Sequence, residues 1–340
     1  MILIPILLPM SKDATSFYRG AGPLGRLSRS LTNVNFHAPS EWDWASLSGA
    51  DMIFLQRPFT DSHRRVFEMA KDNDKKIWLD YDDLLFDVPS DNPTYFKYMN
   101  PKVSGDVKFM ISNADVVTVS TKALAKIYGK LNKDVRVIPN ALNPDLLIHR
   151  KPGERKRGIL WRGSRTHQKD AFMLSPMILK VSNMEANASW MWHFIGDNLW
   201  FLTDRMPHHR TFVMEPMDVI DYHKHIDKLA PTAMMVPLHE CDFNKSKSNI
   251  AWIEGTFAGA ATLAPDWAEW QKPGVITYAS REDFEVKLQG ILNGEFDTKA
   301  LVDMSWKYIM ESLTLVQTNK LRLQVICDLL GCTPERLGAF

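Results

Sequence analysis

Val236-Pro237-Leu238, then Phe243-Asn244-Lys245-Ser246-Lys247-Ser248, then Asn249-Ile250-Ala251-Trp252-Ile253-Glu254-Gly255-Thr256-Phe257-Ala258-Gly259-Ala260-Ala261 read as a strand end, a polar loop, a helix and the start of the next strand. A lysine near a helix start can meet phosphate, because the helix N-terminus adds partial positive charge. A glutamate about two turns along can accept bonds from a ribose diol, and Gly259 lets the following strand start close by. Lys247 and Glu254 stand seven positions apart, which on one continuous helix puts them on a shared face about 10 Å apart. Asn244, Lys247, Ser248 and Glu254 are therefore candidate binding residues.

Outward from this stretch, short apolar runs alternate with longer amphipathic ones. Residues 1–8, 51–55, 76–79, 116–120 and 135–138 read as strands, with helices at 62–73 and 121–130. The charged run 149–157, which carries Pro152-Gly153, reads as a linker. The pattern restarts at Gly158-Ile159-Leu160-Trp161, with further strands at 190–195, 211–213, 234–237, 261–264 and 274–277, and a mostly helical tail. Such alternation means parallel sheets covered by helices, an α/β architecture. A chain of 340 residues exceeds what one core usually serves. The expectation is two Rossmann-like domains facing across a cleft, 1–148 and 158–310, with the helical segment 311–340 crossing back to the first.

Three further motifs follow strands. Tyr18-Arg19-Gly20-Ala21-Gly22-Pro23-Leu24-Gly25 has the spacing G-x-G-x-x-G, which lets backbone N–H groups approach an anion. A dinucleotide site would add an acid at the end of the second strand. His37-Ala38-Pro39 stands about there, which argues against NAD. The bland alternative is a tight turn without ligand. Asp80, Asp82 and Asp83 follow the strand at 76–79, where open α/β sheets bind ligands. The pair Asp80-x-Asp82 suits a hard divalent cation, or alternatively caps local backbone. Trp161-Arg162-Gly163-Ser164-Arg165-Thr166-His167-Gln168-Lys169 places Arg162 and Lys169 where they can neutralise a diphosphate, or form a solvated helix start.

Together these residues resemble the GT-B glycosyltransferases of family four. Pro237-Leu238, Phe243-Asn244, Lys247-Ser248, Glu254 and Gly259 match the family's pattern in the second domain. Asp80, Asp82 and Asp83 match its Asp-rich element, Val137-Ile138-Pro139-Asn140-Ala141 its element before the linker, and Gly163-Ser164 with His167 its Gly-Ser turn. The resemblance implies a retaining transfer from a nucleoside-diphosphate sugar. It assigns Glu254 to the ribose, and Arg162 and Lys247 to the diphosphate. Gly163, Ser164, Lys169, Asn244 and Ser248 surround them, and Gly20 and Gly22 approach the donor from the first domain. Basic side chains and helix N-termini do the charge neutralisation, so no essential metal and no tightly bound cofactor are expected. That leaves Asp80, Asp82 and Asp83 to the acceptor side of the reaction or to structure. One departure stands out. The family carries two glutamates eight apart, and the position of the first is Ser246 here.

Composition narrows the rest. The formal net charge is +1, so any nucleic-acid site must be local. The segment 150–169 supplies Arg150, Lys151, Arg155, Lys156, Arg157, Arg162, Arg165 and Lys169 against Glu154 alone. A basic stripe suits a phosphate-backbone acceptor. In size and motif style the chain also resembles small transferases of tailed phages, some of which decorate hydroxymethylated DNA bases. A hydroxymethylated pyrimidine in DNA is thus the leading acceptor. A polysaccharide or lipid-linked glycan is the rival, and a non-catalytic binding module the non-enzyme alternative. Cys241, Cys327 and Cys332 do not make a disulfide framework, and Met1–Met10 lacks signal-peptide features. No apolar run reaches a membrane span, so the expected location is cytoplasmic.

Overall fold

The computed structural model describes residues 1–8, 14–142 and 155–339. Its strands are β1 (Ile2–Leu7), β2 (Val34–His37), β3 (Met52–Gln56), β4 (Lys76–Tyr81), β5 (Val116–Val119), β6 (Val135–Val137), β7 (Lys156–Gly163), β8 (Met191–Gly196), β9 (Thr211–Met214), β10 (Pro231–Met235), β11 (Ala261–Pro265) and β12 (Val275–Tyr278). They form two six-stranded sheets, ordered β2-β1-β3-β4-β5-β6 and β12-β11-β10-β7-β8-β9. All strand pairs are parallel. β3, β5 and β11 are buried along their whole length, as strands covered on both faces must be.

Two compact units result: Met1–Asn143 with Ser246–Ser248 and Leu313–Phe340, and Pro144–Lys245 with Asn249–Ser312. Of the linker read at 149–157, residues 149–154 lie outside the described residues, and β7 is already under way at Lys156.

In the first unit the core joins Ile4, Phe54, Trp78 and Val116 to Val325, Ile326 and Leu337 near the C-terminus. Those last residues come from the helix Leu315–Leu330 and the turn after it. Asn319 Nδ2 donates to the Pro23 carbonyl at 2.9 Å. The second unit has its own core, including Ile159, Trp161, Trp192, Phe194, Leu263 and Phe284.

Strand order fixes where a ligand can enter. In the first sheet the chain runs outward in opposite directions from β1 and β3, and in the second from β7 and β10. At such switch points the connections leave to opposite faces and open a crevice at the carboxyl ends of the strands.

Candidate functional site

At the second unit's switch point, β7 ends in Arg162 and Gly163. Gly196, at the end of β8, has φ +114, and a Cβ there would lie 2.1 Å from the Gly163 carbonyl oxygen. Glycine is required for the two strand ends to approach so closely. Arg162 Nε donates to Glu254 Oε2 at 2.8 Å, and the Tyr222 hydroxyl donates to the same oxygen at 3.2 Å. Glu254 is 3% exposed, whereas the Arg162 side chain keeps 25% of its surface. Burial and the neighbouring Glu254 carboxylate push the Tyr222 hydroxyl well above its ordinary range, so it stays a donor.

The geometry expected for Lys247 and Glu254 does not hold. The helix is Ile250–Phe257, with Asn249 at its start, so Lys247 precedes it and the two share no helical face. Ser246–Ser248 belongs by its contacts to the first unit. Thr121 Oγ1 donates to the Ser246 carbonyl at 2.9 Å, and Asn140 Nδ2 donates to Ser248 Oγ at 2.8 Å. Ser246, at the position of the missing glutamate, is fully buried.

Asn244 is 3% exposed, and its amide donates to Asp170 Oδ1 at 2.7 Å and to the His239 carbonyl at 2.9 Å. Asp170 also meets His167 Nδ1 at 3.0 Å and His239 Nδ1 at 2.5 Å. Burial would raise this carboxyl, but the bonds from His167 and His239 outweigh it and hold it well below the usual range. Ser164 Oγ shares a 2.8 Å bond with Thr166, and both Ser164 and Lys169 are exposed near the start of the helix Gln168–Asn183.

The first unit's switch point holds the glycine segment. It is not a strand-to-helix loop: a helix Ala14–Arg19 precedes Gly20, and a second, Ala21–Arg29, follows. A Cβ on Gly22 would lie 2.2 Å from the Phe17 carbonyl oxygen, so backbone packing demands that glycine, while one on Gly20 would press on the Gln56 and Leu8 side chains. Gly25 has open space around it. β2 ends at His37, so imidazole stands where a dinucleotide site would carry an acid.

Asp80 is 1% exposed, and its carboxylate accepts from Arg19 Nε at 2.9 Å, Arg19 Nη2 at 2.6 Å and Thr118 Oγ1 at 2.6 Å. In this arrangement Asp80 positions the end of β4 and does not reach toward a ligand. Arg322, from the C-terminal helix, is also buried here, with Nη2 unpartnered among the described residues. Burial and the nearby Arg19 push its guanidinium down to about 9. Asp82 and Asp83 are different. Their carboxylates face Arg57 at 3.8 and 3.6 Å, and each keeps about a fifth of its surface. Burial raises the Asp82 carboxyl; Arg57 pulls it down, and Asp83 pushes it up. Arg57 sits at φ +51, a left-handed conformation that non-glycine residues rarely adopt, directly after β3.

The described part of the basic run turns to different partners. Residues 150–154 lie outside the described residues, Arg157 donates to Ser189 Oγ at 2.8 Å, and Arg162 turns to Glu254. Arg155 packs its guanidinium at Gly259, 3.3 Å from where a Cβ would stand. Among the described residues, no three His, Cys, Asp or Glu side chains gather as a metal site, and no helix is long and apolar enough to cross a membrane.

Arg19, Arg57, Asp170, Tyr222, His239 and Arg322 are absent from the sequence-derived candidates. Only His167 with Asp170, three apart at a helix start, leaves a local signal.

No family model and no curated protein sequence matches this chain. Solved structures match it in fold. A glycosyltransferase from Rickettsia africae superposes with a TM-score of 0.65 at 10% identity, over 98% of this chain and 99% of its own. Anabaena HepE, solved in complex with UDP, gives 0.64 at 11% identity, over 96% and 100%. TarM gives 0.60 at 10% identity over 91% of this chain, which spans 57% of the TarM chain. The fold is GT-B: two Rossmann-like units, each built on a parallel six-stranded sheet.

Proposed function

We propose that this chain is a glycosyltransferase that takes a sugar from a nucleoside-diphosphate donor. The observation that carries the reading is the buried Glu254 carboxylate, held by Arg162 and Tyr222 at the second unit's switch point. A buried acceptor beside a partly exposed guanidinium suits a nucleotide, with ribose hydroxyls donating to Glu254 and the diphosphate meeting Arg162. The family resemblance assigns Lys247 to the diphosphate as well; it stands on a tripeptide anchored by Thr121 and Asn140. Charge on the leaving diphosphate grows in the transition state, so these cations assist turnover as well as binding. UDP is the natural probe, because HepE was solved with it. In this reading the second unit carries the donor, the first unit serves the acceptor, and transfer proceeds with retention.

On the acceptor side we place Asp82 rather than Asp80. Its raised carboxyl, paired with Arg57, is suited to accept a hydroxyl proton or hydrogen bond, with Asp83 beside it. The described part of the basic run turns to different partners, so a hydroxymethylated pyrimidine in DNA stands level with a polysaccharide or lipid-linked glycan. Burial of Ser246 where the family pattern has a glutamate favours one further reading, a module that binds nucleotide without turnover.

Calorimetric titration with UDP tests the donor site. Glu254→Gln keeps the shape but loses charge, and is expected to weaken binding about ten- to a hundred-fold with the fold unchanged. Unchanged affinity would remove the donor site from Glu254. Release of free nucleoside diphosphate from a panel of nucleotide sugars, with and without hydroxymethylated DNA and glycans, separates an enzyme from a silent binder.

A further inference from the structure

A cavity of about 350 Å³ lies in the second unit beside its switch point, at the carboxyl ends of β10, β11 and β12 and against the helix Gln168–Asn183. We propose that it binds a single pyranose ring. Arg162, Tyr222 and Glu254 are not among its lining, while His239 shares Asp170 with Asn244.

Its floor is apolar and fixed. Leu238 and Tyr278 are both buried. The Tyr278 hydroxyl donates to the Val236 carbonyl at 3.0 Å and accepts from Leu238 N–H at 3.0 Å, so it clamps the loop after β10. Trp267 is half-buried and brings an indole to the lining. His239 is oriented rather than loose. Asp170 takes both its Nδ1 and its backbone N–H, at 2.5 and 3.1 Å, which leaves Nε2 as the ring's other polar atom. Glu240 and Arg281 are exposed lining residues; Glu240 accepts from Lys245 Nζ at 2.6 Å and Arg281 Nη2 donates to Met173 Sδ at 3.5 Å, and each keeps further acceptor or donor capacity.

This combination selects a chemistry. A cavity near the small end of the ligand-pocket range has room for a single ring. A pyranose has a flat C–H face that packs on an indole, and a circumference of hydroxyls that each donate and accept. The cavity offers an indole and exposed lining residues that carry both donors and acceptors. The pinned floor means that little ordering opposes binding.

Saturation-transfer NMR of the full chain with a panel of methyl glycosides (gluco, galacto and N-acetylglucosamine, both anomers) tests the site. At least one glycoside is expected to give saturable binding. Trp267→Ala should weaken it roughly tenfold by removing the stacking face. Arg281→Ala, on an exposed side chain, should weaken it with the melting temperature unchanged. UDP affinity should stay the same in both variants. No saturable glycoside in the panel, binding indifferent to both substitutions, or displacement of the glycoside by a free nucleoside would each overturn the proposal. Glycoside binding that persists where UDP binding is absent would support this cavity while removing the donor reading, so the two fail separately.

Discussion

Asp80 shows how one buried carboxylate can govern a unit. It answers Arg19 directly and lies within electrostatic reach of Arg322, so the cluster holds two guanidinium groups and a single neighbouring acid. Removing the acid leaves uncompensated buried cations, which costs far more than an exposed pair is worth. Asp80→Asn is expected to destabilise the first unit by about 3–5 kcal/mol, read from urea unfolding. A loss below one-third of that would show that the cluster relaxes into water. His193 offers a pH test. Burial, then His225 and Lys156, hold its imidazole down at about 4, against an ordinary 6.5. The unfolded chain therefore takes up this proton first. Stability is complete above about pH 6.5 and falls as pH drops toward 4, by at most about 3 kcal/mol before solvent screening reduces it. His193→Phe should flatten the urea midpoint between pH 7 and pH 5. None of these roles could be read locally. Arg19 and Asp80 are 61 positions apart, and only the folded sheet brings them together.

At the scale of elements, the strands were the legible part, because strands buried on both faces are continuous apolar runs. β2, with its polar Asn35, shows in the sequence only through its end near His37, and the helix Pro101–Asn113 carries no strong periodic signal. The start of the Glu254 helix was misjudged for a different reason. Seven-residue spacing puts Lys247 and Glu254 on one face only if the helix reaches back to Lys247, but bonds from Thr121 to Ser246 and from Asn140 to Ser248, partners more than a hundred positions away, fasten this tripeptide ahead of the helix. Both switch points were invisible, since strand order is a property of pairing and not of any one strand. Glycines separate packing from propensity. Gly196→Ala meets positive φ and the Gly163 carbonyl together, and should cost about 1–3 kcal/mol. Gly25→Ala, on an exposed helical turn with open space, should add about 0.5–1 kcal/mol. Thermal melts of the two variants must move in opposite directions. A Gly196→Ala variant that melts no lower would show that the close approach of β7 and β8 does not constrain Gly196, and a fall in Gly25→Ala would show that its turn needs glycine despite the open space.

Across the whole molecule, the C-terminal helix completes the first unit's core through Val325, Ile326 and Cys327. A chain ending at Ser312 should therefore lose the first unit and keep the second, whose core draws nothing from the missing residues. Calorimetry should show one transition surviving near its original temperature. Loss of both would mean that the second unit needs the first. The same feature bears on synthesis. Residues 313–339 are the last of the described chain to leave the ribosome, yet they close the unit that emerged first. The second unit can fold as it emerges, while the first waits, nearly whole but with an apolar seam open, until translation has passed the second entirely. During that interval the nascent chain offers chaperones a defined target, the face of the first sheet and the helix Ala21–Arg29 onto which Leu315–Leu330 will later pack. The order of folding thus inverts the order of synthesis.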